Sequence, residues 1–310
     1  MKRLGPVLGI LVLLMGLDLL SGNGFGPVGG VLLWNLRLPR MLTALVAGAS
    51  LALAGMQMQA VFRNPLADPH IMGVSGGAGL GAAIAALAIP AAGSVGGGIP
   101  LVAAAFAGAL LTGGLVIAVS ARVQSTGTLL LVGVMLGFVL SAISSILQYS
   151  AAEESLKLFY SWMAGSFSHV GAAGLRVMAL ALAAGLGTAL FCAKGLDLLL
   201  FGEGFAASAG VSLRRLRILS MTMCALMTGA VTAYCGPLGF VGIVAPHLAR
   251  RWMGTSAHRT LLLEAPVLGA CLALIADILA HIGPTPLPAG STLAIVGIPL
   301  IVILLWRHRL

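Results

Sequence analysis

The run LLLVGVMLGFVLSAISSILQY, Leu129–Tyr149, contains no Asp, Glu, Lys, Arg or His. A helix needs about 20 mostly apolar residues to cross the hydrocarbon core of a bilayer, and this run has that length. Clusters of Gly, Pro and charge cut the rest of the chain into similar runs, because unpaired backbone is tolerated in lipid only at its edges or inside protein. The expected crossings are 4–20, 41–62, 70–90, 99–120, 129–149, 173–193, 217–235, 239–253, 261–281 and 289–306. The eighth is short. The chain of 310 residues is 59% hydrophobic and 8% charged, with a mean hydropathy of +1.09, which excludes an ordinary water-facing surface. The expectation is an all-α integral membrane protein of about ten transmembrane helices, a single transmembrane domain over 1–310, with little room for a separate soluble domain. The apolar start to Leu20 is followed by Ser21-Gly-Asn-Gly-Phe-Gly, which offers no small-x-small cleavage site, so it reads as an uncleaved first helix.

The net charge of +9 reflects placement within the membrane rather than nucleic-acid binding. With the N-terminus inside, the cytoplasmic side collects Lys2, Arg3, Arg63, Arg122, Lys194, Arg214, Arg215, Arg217, Arg250, Arg251, Arg259, Arg307 and Arg309, leaving Arg37, Arg40, Lys157 and Arg176 outside. This asymmetry fits an even number of crossings with both termini cytoplasmic. Cys192, Cys224, Cys235 and Cys271 lie in apolar runs without a CxxC spacing and read as packing residues, not a disulfide framework or zinc site. Small residues recur at Gly73, Gly77 and Gly81 and at Gly133 and Gly137, a spacing that lets helices approach closely in lipid. Gly137, Ser141, Ser144, Ser145 and Gln148 share one helix face, which fits either the wall of a translocation path or interhelical packing.

Specific motifs follow in order: Arg37-Leu-Pro-Arg40; Arg63-Asn64-Pro65-Leu66-Ala67-Asp68-Pro69; the run from Gly236-Pro-Leu-Gly through Ala245-Pro-His-Leu-Ala-Arg250; and Leu287-Pro288-x-Gly290 with Gly297-x-Pro299. Together they resemble the FecCD-type permease family that imports iron-siderophores, haem and vitamin B12 with an ATP-binding cassette, and the resemblance covers nearly the whole chain. It implies the type II ABC importer permease fold in a bacterial inner membrane, a homodimer with a second copy of the chain, two ATP-binding cassette subunits on the cytoplasmic face and a substrate-binding protein outside. A ferric siderophore is the first cargo implied, with haem and vitamin B12 next.

The resemblance places binding-protein docking at Arg37 and Arg40; snorkelling of their long stems at a helix end is the alternative. His281 stands where many relatives carry a third Arg, so docking is expected to respond to pH if the imidazole is exposed. The segment 194–217 resembles the family's cytoplasmic coupling segment, with Gly202, Glu203, Ala206 and Gly210 matching the pattern and Ala209 replacing the more usual Leu. An amphipathic loop on the lipid surface is the other reading. Asn64, Pro65 and Leu66 with Ser125 and Thr126 fall where the family forms its inner gate; a stiff helix-breaking turn fits the same residues. Asp277 needs a partner, and one among Arg37, Arg40 or His281 would make it structural.

None of Lys2, Lys157 and Lys194 sits in a GxxxxGK[ST] loop, so no enzyme activity or cofactor is expected on this chain, and ATP with Mg belongs to a partner ATPase. No metal site is expected: His247 has no second ligand at spacing, and His70, His169 and His258 are scattered. The competing class is an ion-coupled secondary transporter, which needs intramembrane acidic residues or interrupted helices around a coupling ion.

Overall fold

A computed structural model describes residues 4–21, 29–88, 99–123, 125–283 and 285–306, and among these the chain is helical with no strand. The cations expected at Lys2, Arg3, Arg307 and Arg309 lie outside the described residues. The order is α1 (Leu4–Leu20), then α2 (Gly29–Leu32), which runs through a wider π turn (Leu33–Arg37) into α3 (Leu38–Val61). A 3-10 turn (Pro69–Met72) precedes α4 (Val74–Ala83), which widens at Ile84–Ala88. Next come α5 (Ile99–Ser120), α6 (Thr126–Tyr149), α7 (Glu153–Ala164), α8 (Ala172–Leu199) and the short α9 (Glu203–Ser208). The last four are α10 (Leu213–Cys235), α11 (Val241–Met253), α12 (His258–Ala280) and α13 (Ala289–Trp306).

Among the described residues, six stretches are long and apolar enough to cross a membrane: Gly30–Val61, Pro100–Ser120, Thr126–Tyr149, Ala172–Leu199, Leu213–Cys235 and His258–Ala280. Leu4–Leu20, Val74–Leu87 and Ala289–Leu304 are shorter apolar helices. The six sort into two classes by burial. The windows in α3, α10 and α12 are 83%, 67% and 72% buried, whereas those in α5, α6 and α8 are 28%, 17% and 28% buried. The first three make the core, and the others present Leu, Ile and Phe side chains outward, as lipid requires.

Within lipid the packing of small residues replaces the missing hydrophobic drive between helices. At the α3–α12 crossing an added Cβ on Gly48 would fall 2.2 Å from the Gly269 carbonyl oxygen, and at the α3–α11 crossing one on Gly55 would fall 2.0 Å from that of Gly242. These backbones touch, so α3, α11 and α12 form one body. Gly77 and Gly81 meet α5 in the same way, at Gly108 and Ala104.

Two elements depart from the expected segmentation. The amphipathic α7 falls between the expected runs, because Glu153, Glu154 and Lys157 break the apolar pattern, yet its other face is anchored by the buried Phe159 and by Trp162, whose indole donates to Ala233 O at 3.0 Å. The expected run 239–253 yields only the 13 residues of α11, about 20 Å of helix where the hydrocarbon core is about 30 Å. The irregular stretch 236–240 before it lies inside protein, and its polar groups are met there: Gly236 N–H by Thr232 O at 2.9 Å and Leu238 O by His70 at 2.9 Å.

Candidate functional site

A cavity of about 670 Å³ opens between α4, α6, α7 and the start of α11. Gly73, Gly76 and Gly79 form one side, Gly133, Gly137, Ser141, Ser144 and Gln148 of α6 the other, and Met163, Pro237, Gly239, Phe240 and Ile243 complete it. From Gly133 to Gln148, α6 contributes about 22 Å of wall at its rise of 1.5 Å per residue. Four residues of the expected path face, Gly137, Ser141, Ser144 and Gln148, line this space; Ser145 does not.

Three polar side chains of that face are already engaged. Ser144 donates to Leu140 O at 2.9 Å, Ser145 to Ser141 O at 3.0 Å, and the Gln148 amide to Ser144 O at 3.2 Å, all within their own helix. The Tyr160 hydroxyl of α7 donates to Gln148 Oε1 at 2.9 Å, tying α7 to the end of the wall. A guest therefore meets mostly CH groups and glycine backbone.

At the end of the cavity near α4, Asp68, His70 and Ser75 supply a polar cluster that sequence reading did not single out. Asp68 Oδ1 accepts from the His70 N–H at 2.8 Å and caps the 3-10 turn. The His70 ring bridges two elements: Nε2 faces Leu238 O at 2.9 Å, and Nδ1 meets the Ser75 hydroxyl. A carbonyl only accepts, so Nε2 carries a proton in this arrangement. The only signal in the sequence was adjacency to Pro65 and Pro69. Phe240, also in the lining, has φ +71°, a strained backbone for an aromatic residue, and its Cβ sits where an added Cβ on Gly297 would come within 2.6 Å.

The expected gate residues lie outside this cavity. Asn64 Oδ1 accepts from the Leu66 N–H at 3.0 Å in a tight turn with Pro65 and Leu66 exposed, and Ser125 caps α6 by accepting from the Thr128 N–H at 3.3 Å, next to the half-buried Thr126.

Arg37, Arg40 and His281 gather at one end of α3 and α12, as the docking expectation requires, but they turn inward. Arg37 is 8% and Arg40 7% exposed. Arg40 Nε lies 2.8 Å from Asp277 Oδ2, and its Nη2 lies 3.7 Å from Asp18 Oδ1 and donates to Ser21 Oγ at 3.0 Å. Arg37 donates to Leu19 O at 3.0 Å. The guanidinium of Arg40 thus joins α1, α3 and α12, and Asp277 is structural. His281 Nδ1 donates to Asp277 O at 2.8 Å, and burial holds this imidazole below its ordinary value of 6.5, so it stays neutral rather than adding a third cation.

In the segment expected to couple to an ATPase, Gly202 and Gly210 flank α9 with φ of +115° and +84°, conformations that favour glycine. Glu203 pairs with Arg217 at 2.5 Å, and Ala206 is fully buried against the body. With Ala209 in place of a larger residue, the apolar projection comes instead from Phe201 and Phe205, 75% and 52% exposed, with ring centroids 5.5 Å apart. The sequence showed these two phenylalanines without indicating which way they would face.

The sequence pattern of the FecCD transport family matches residues 12–307. The chain belongs to the FecCD transport family. This FecCD member is 37% identical over 294 residues to the vitamin B12 import system permease protein BtuC of Klebsiella pneumoniae, covering 93% of this chain and 86% of that protein. It is 36% identical over 311 residues to BtuC of Escherichia coli O127:H6, covering 97% and 93%. A solved inward-facing chain of a metal-chelate type ABC transporter superposes with a TM-score of 0.89 at 30% identity, covering 99% of both chains. With its apolar helices, this FecCD protein is a multi-pass protein of the bacterial inner membrane.

Proposed function

We propose that this chain is the membrane-spanning permease subunit of an ATP-binding cassette importer for a metal chelate. It has ten crossings, both termini are in the cytoplasm, and it works as a homodimer with two ATPase subunits and a binding protein. The observation that carries the reading is the long cavity walled by glycine and apolar side chains, with the Ser144 hydroxyl and the Gln148 amide already bonded within their own helix. Such a wall suits a bulky cargo that must leave as readily as it enters. The path is proposed along Gly137, Ser141, Ser144 and Gln148, with the gate at Asn64–Leu66 and Ser125–Thr126. ATPase coupling is assigned to Glu203, Ala206 and the exposed Phe201 and Phe205 between the Gly202 and Gly210 hinges. Docking of the binding protein is assigned to the end of α3 and α12 where Arg37, Arg40 and His281 gather.

The B12 permeases among the relatives make cobalamin the first cargo to test, ahead of ferric siderophores and haem. The ion-coupled alternative is disfavoured by the cavity chemistry: the one carboxylate among the described lining residues, Asp68, caps the His70 turn. The deciding experiment is uptake of radiolabelled cyanocobalamin, ferric siderophore and haem into proteoliposomes holding this chain, its ATPase and its binding protein, with ATP inside. Accumulation of one cargo that needs both ATP and binding protein is expected. Accumulation driven by an ion gradient without ATP would sink the proposal.

A further inference from the structure

The first N–H groups of a helix have no partner inside the helix and are normally met by a side chain at the N-cap position. At the start of α12 that position is Ala257, which has no capping group. The partner comes instead from another helix. Asp197, near the end of α8, accepts at Oδ1 from the His258 backbone N–H at 2.8 Å and from His258 Nδ1 at 2.6 Å. His258 is 1% exposed, whereas the Asp197 side chain keeps about a third of its surface open. The carboxylate also faces the positive end of the α12 dipole, so backbone, ring and field all hold it in one place.

Asp197 lies five positions before Gly202, the hinge of α9, in an unbroken helical run up to Leu199. Movement of α9 reaches α10 directly through the Glu203–Arg217 pair. The helix that leads into α9, α8, packs against both α3 and α12, and the Asp197–His258 clasp adds a polar tie between α8 and the start of α12. Beyond it, α12 is a helix whose far end is held to α3 by the Arg40–Asp277 pair and whose middle is locked to α3 at Gly48 and Gly269. From there the Gly55–Gly242 contact reaches α11, and α3 itself leads into the Asn64–Leu66 turn and the His70 turn of the cavity.

We infer that Asp197 is a positioning residue for transport, capping α12 from α8 so that displacement of the α9 segment is delivered to the α3–α11–α12 body beside the cavity. The inference rests on the importer reading above and adds a residue that ties the α9 segment to that body.

The test uses the complete assembly of this chain with its ATPase and binding protein in lipid nanodiscs, comparing D197A, D197N, D197L and H258A with the unsubstituted complex. Two quantities are read: amide hydrogen exchange over 258–261, and the stimulation of ATP hydrolysis by the binding protein relative to the basal rate. D197A is expected to raise exchange about tenfold and to cut the stimulation about fivefold or more while the basal rate persists. D197N retains an acceptor oxygen for both bonds and is expected to stay near the unsubstituted complex in both readouts, whereas D197L, which keeps side-chain bulk without an acceptor, is expected to follow D197A. D197A with unchanged exchange, or with faster exchange and full stimulation, overturns the inference. If D197A fails to assemble, H258A decides: it keeps the backbone bond and loses the ring bond, so partial effects in both readouts support the clasp and unchanged values refute it. An unsubstituted complex with no stimulation refutes the importer reading itself, a result distinct from a stimulated complex indifferent to Asp197.

Discussion

Replacing Arg40 with Ala should be among the most damaging single changes outside the glycine contacts. The guanidinium is 7% exposed and stands between Asp277, at 2.8 Å, and Asp18, at 3.7 Å, both carboxyl groups being buried. Taking it away leaves acidic groups without their cation where water cannot reach, a loss of about 3–5 kcal/mol by analogy with other broken buried pairs. At about 2–4 °C per kcal/mol for a chain of a few hundred residues, the melting temperature should fall on the order of 10 °C. All four cysteines are buried, so a thiol-reactive fluorophore reports unfolding in detergent without further labels. The double variant Arg40→Leu with Asp277→Leu removes both members of the closest pair and should recover much of the loss, because the cost comes from the stranded charge. A single variant melting within about 2 °C of the unsubstituted protein would refute the structural assignment, as would a double variant no better than the single. A normal melt combined with lost response to the binding protein would return Arg40 to a docking role.

Three further outcomes are expected. Gly269→Ala places a Cβ 2.3 Å from the Gly48 carbonyl oxygen, so α3 and α12 must separate; the expected cost of at least about 1–3 kcal/mol is read in the same thermal assay. Phe205→Ala removes an exposed ring from α9, so it should leave the melting temperature unchanged while weakening co-purification of the ATPase about tenfold or more, the behaviour of an interface anchor. His281 titrates below 6.5 when folded, so the unfolded chain takes up its proton first as pH falls. Its contribution to stability is whole above 6.5 and lost as pH falls from 6.5 through the folded value, and His281→Asn should flatten that part of a stability-against-pH curve.

The helical runs were legible because lipid leaves few choices: an apolar stretch of crossing length is a helix, and the uncharged run 129–149 pointed to α6 on that ground, the helix itself beginning three residues earlier at Thr126. The face from Gly137 to Gln148 was legible because helical periodicity fixes which residues align, although only contact with α4 and α11 could show that it borders a space. What escaped depended on pairing across the sequence. His70 finds Leu238 and Ser75, Asp197 finds His258, and Arg40 adds Asp18 to the Asp277 partnership that the sequence offered, each partner supplied by the packing of other helices. The α7 helix escaped for another reason: it lies flat against the protein on Phe159 and Trp162, with a polar face that resembles a loop when only apolar length is counted.

The hydroxyls of α6 that point back into their own helix also bear on how such a transporter can change over evolutionary time. A passage with few fixed donors imprints little chemical preference on what passes, so the permease need not be rebuilt when the cargo changes. New specificity can then arise by replacing the soluble receptor alone, with this chain retained as a shared conduit.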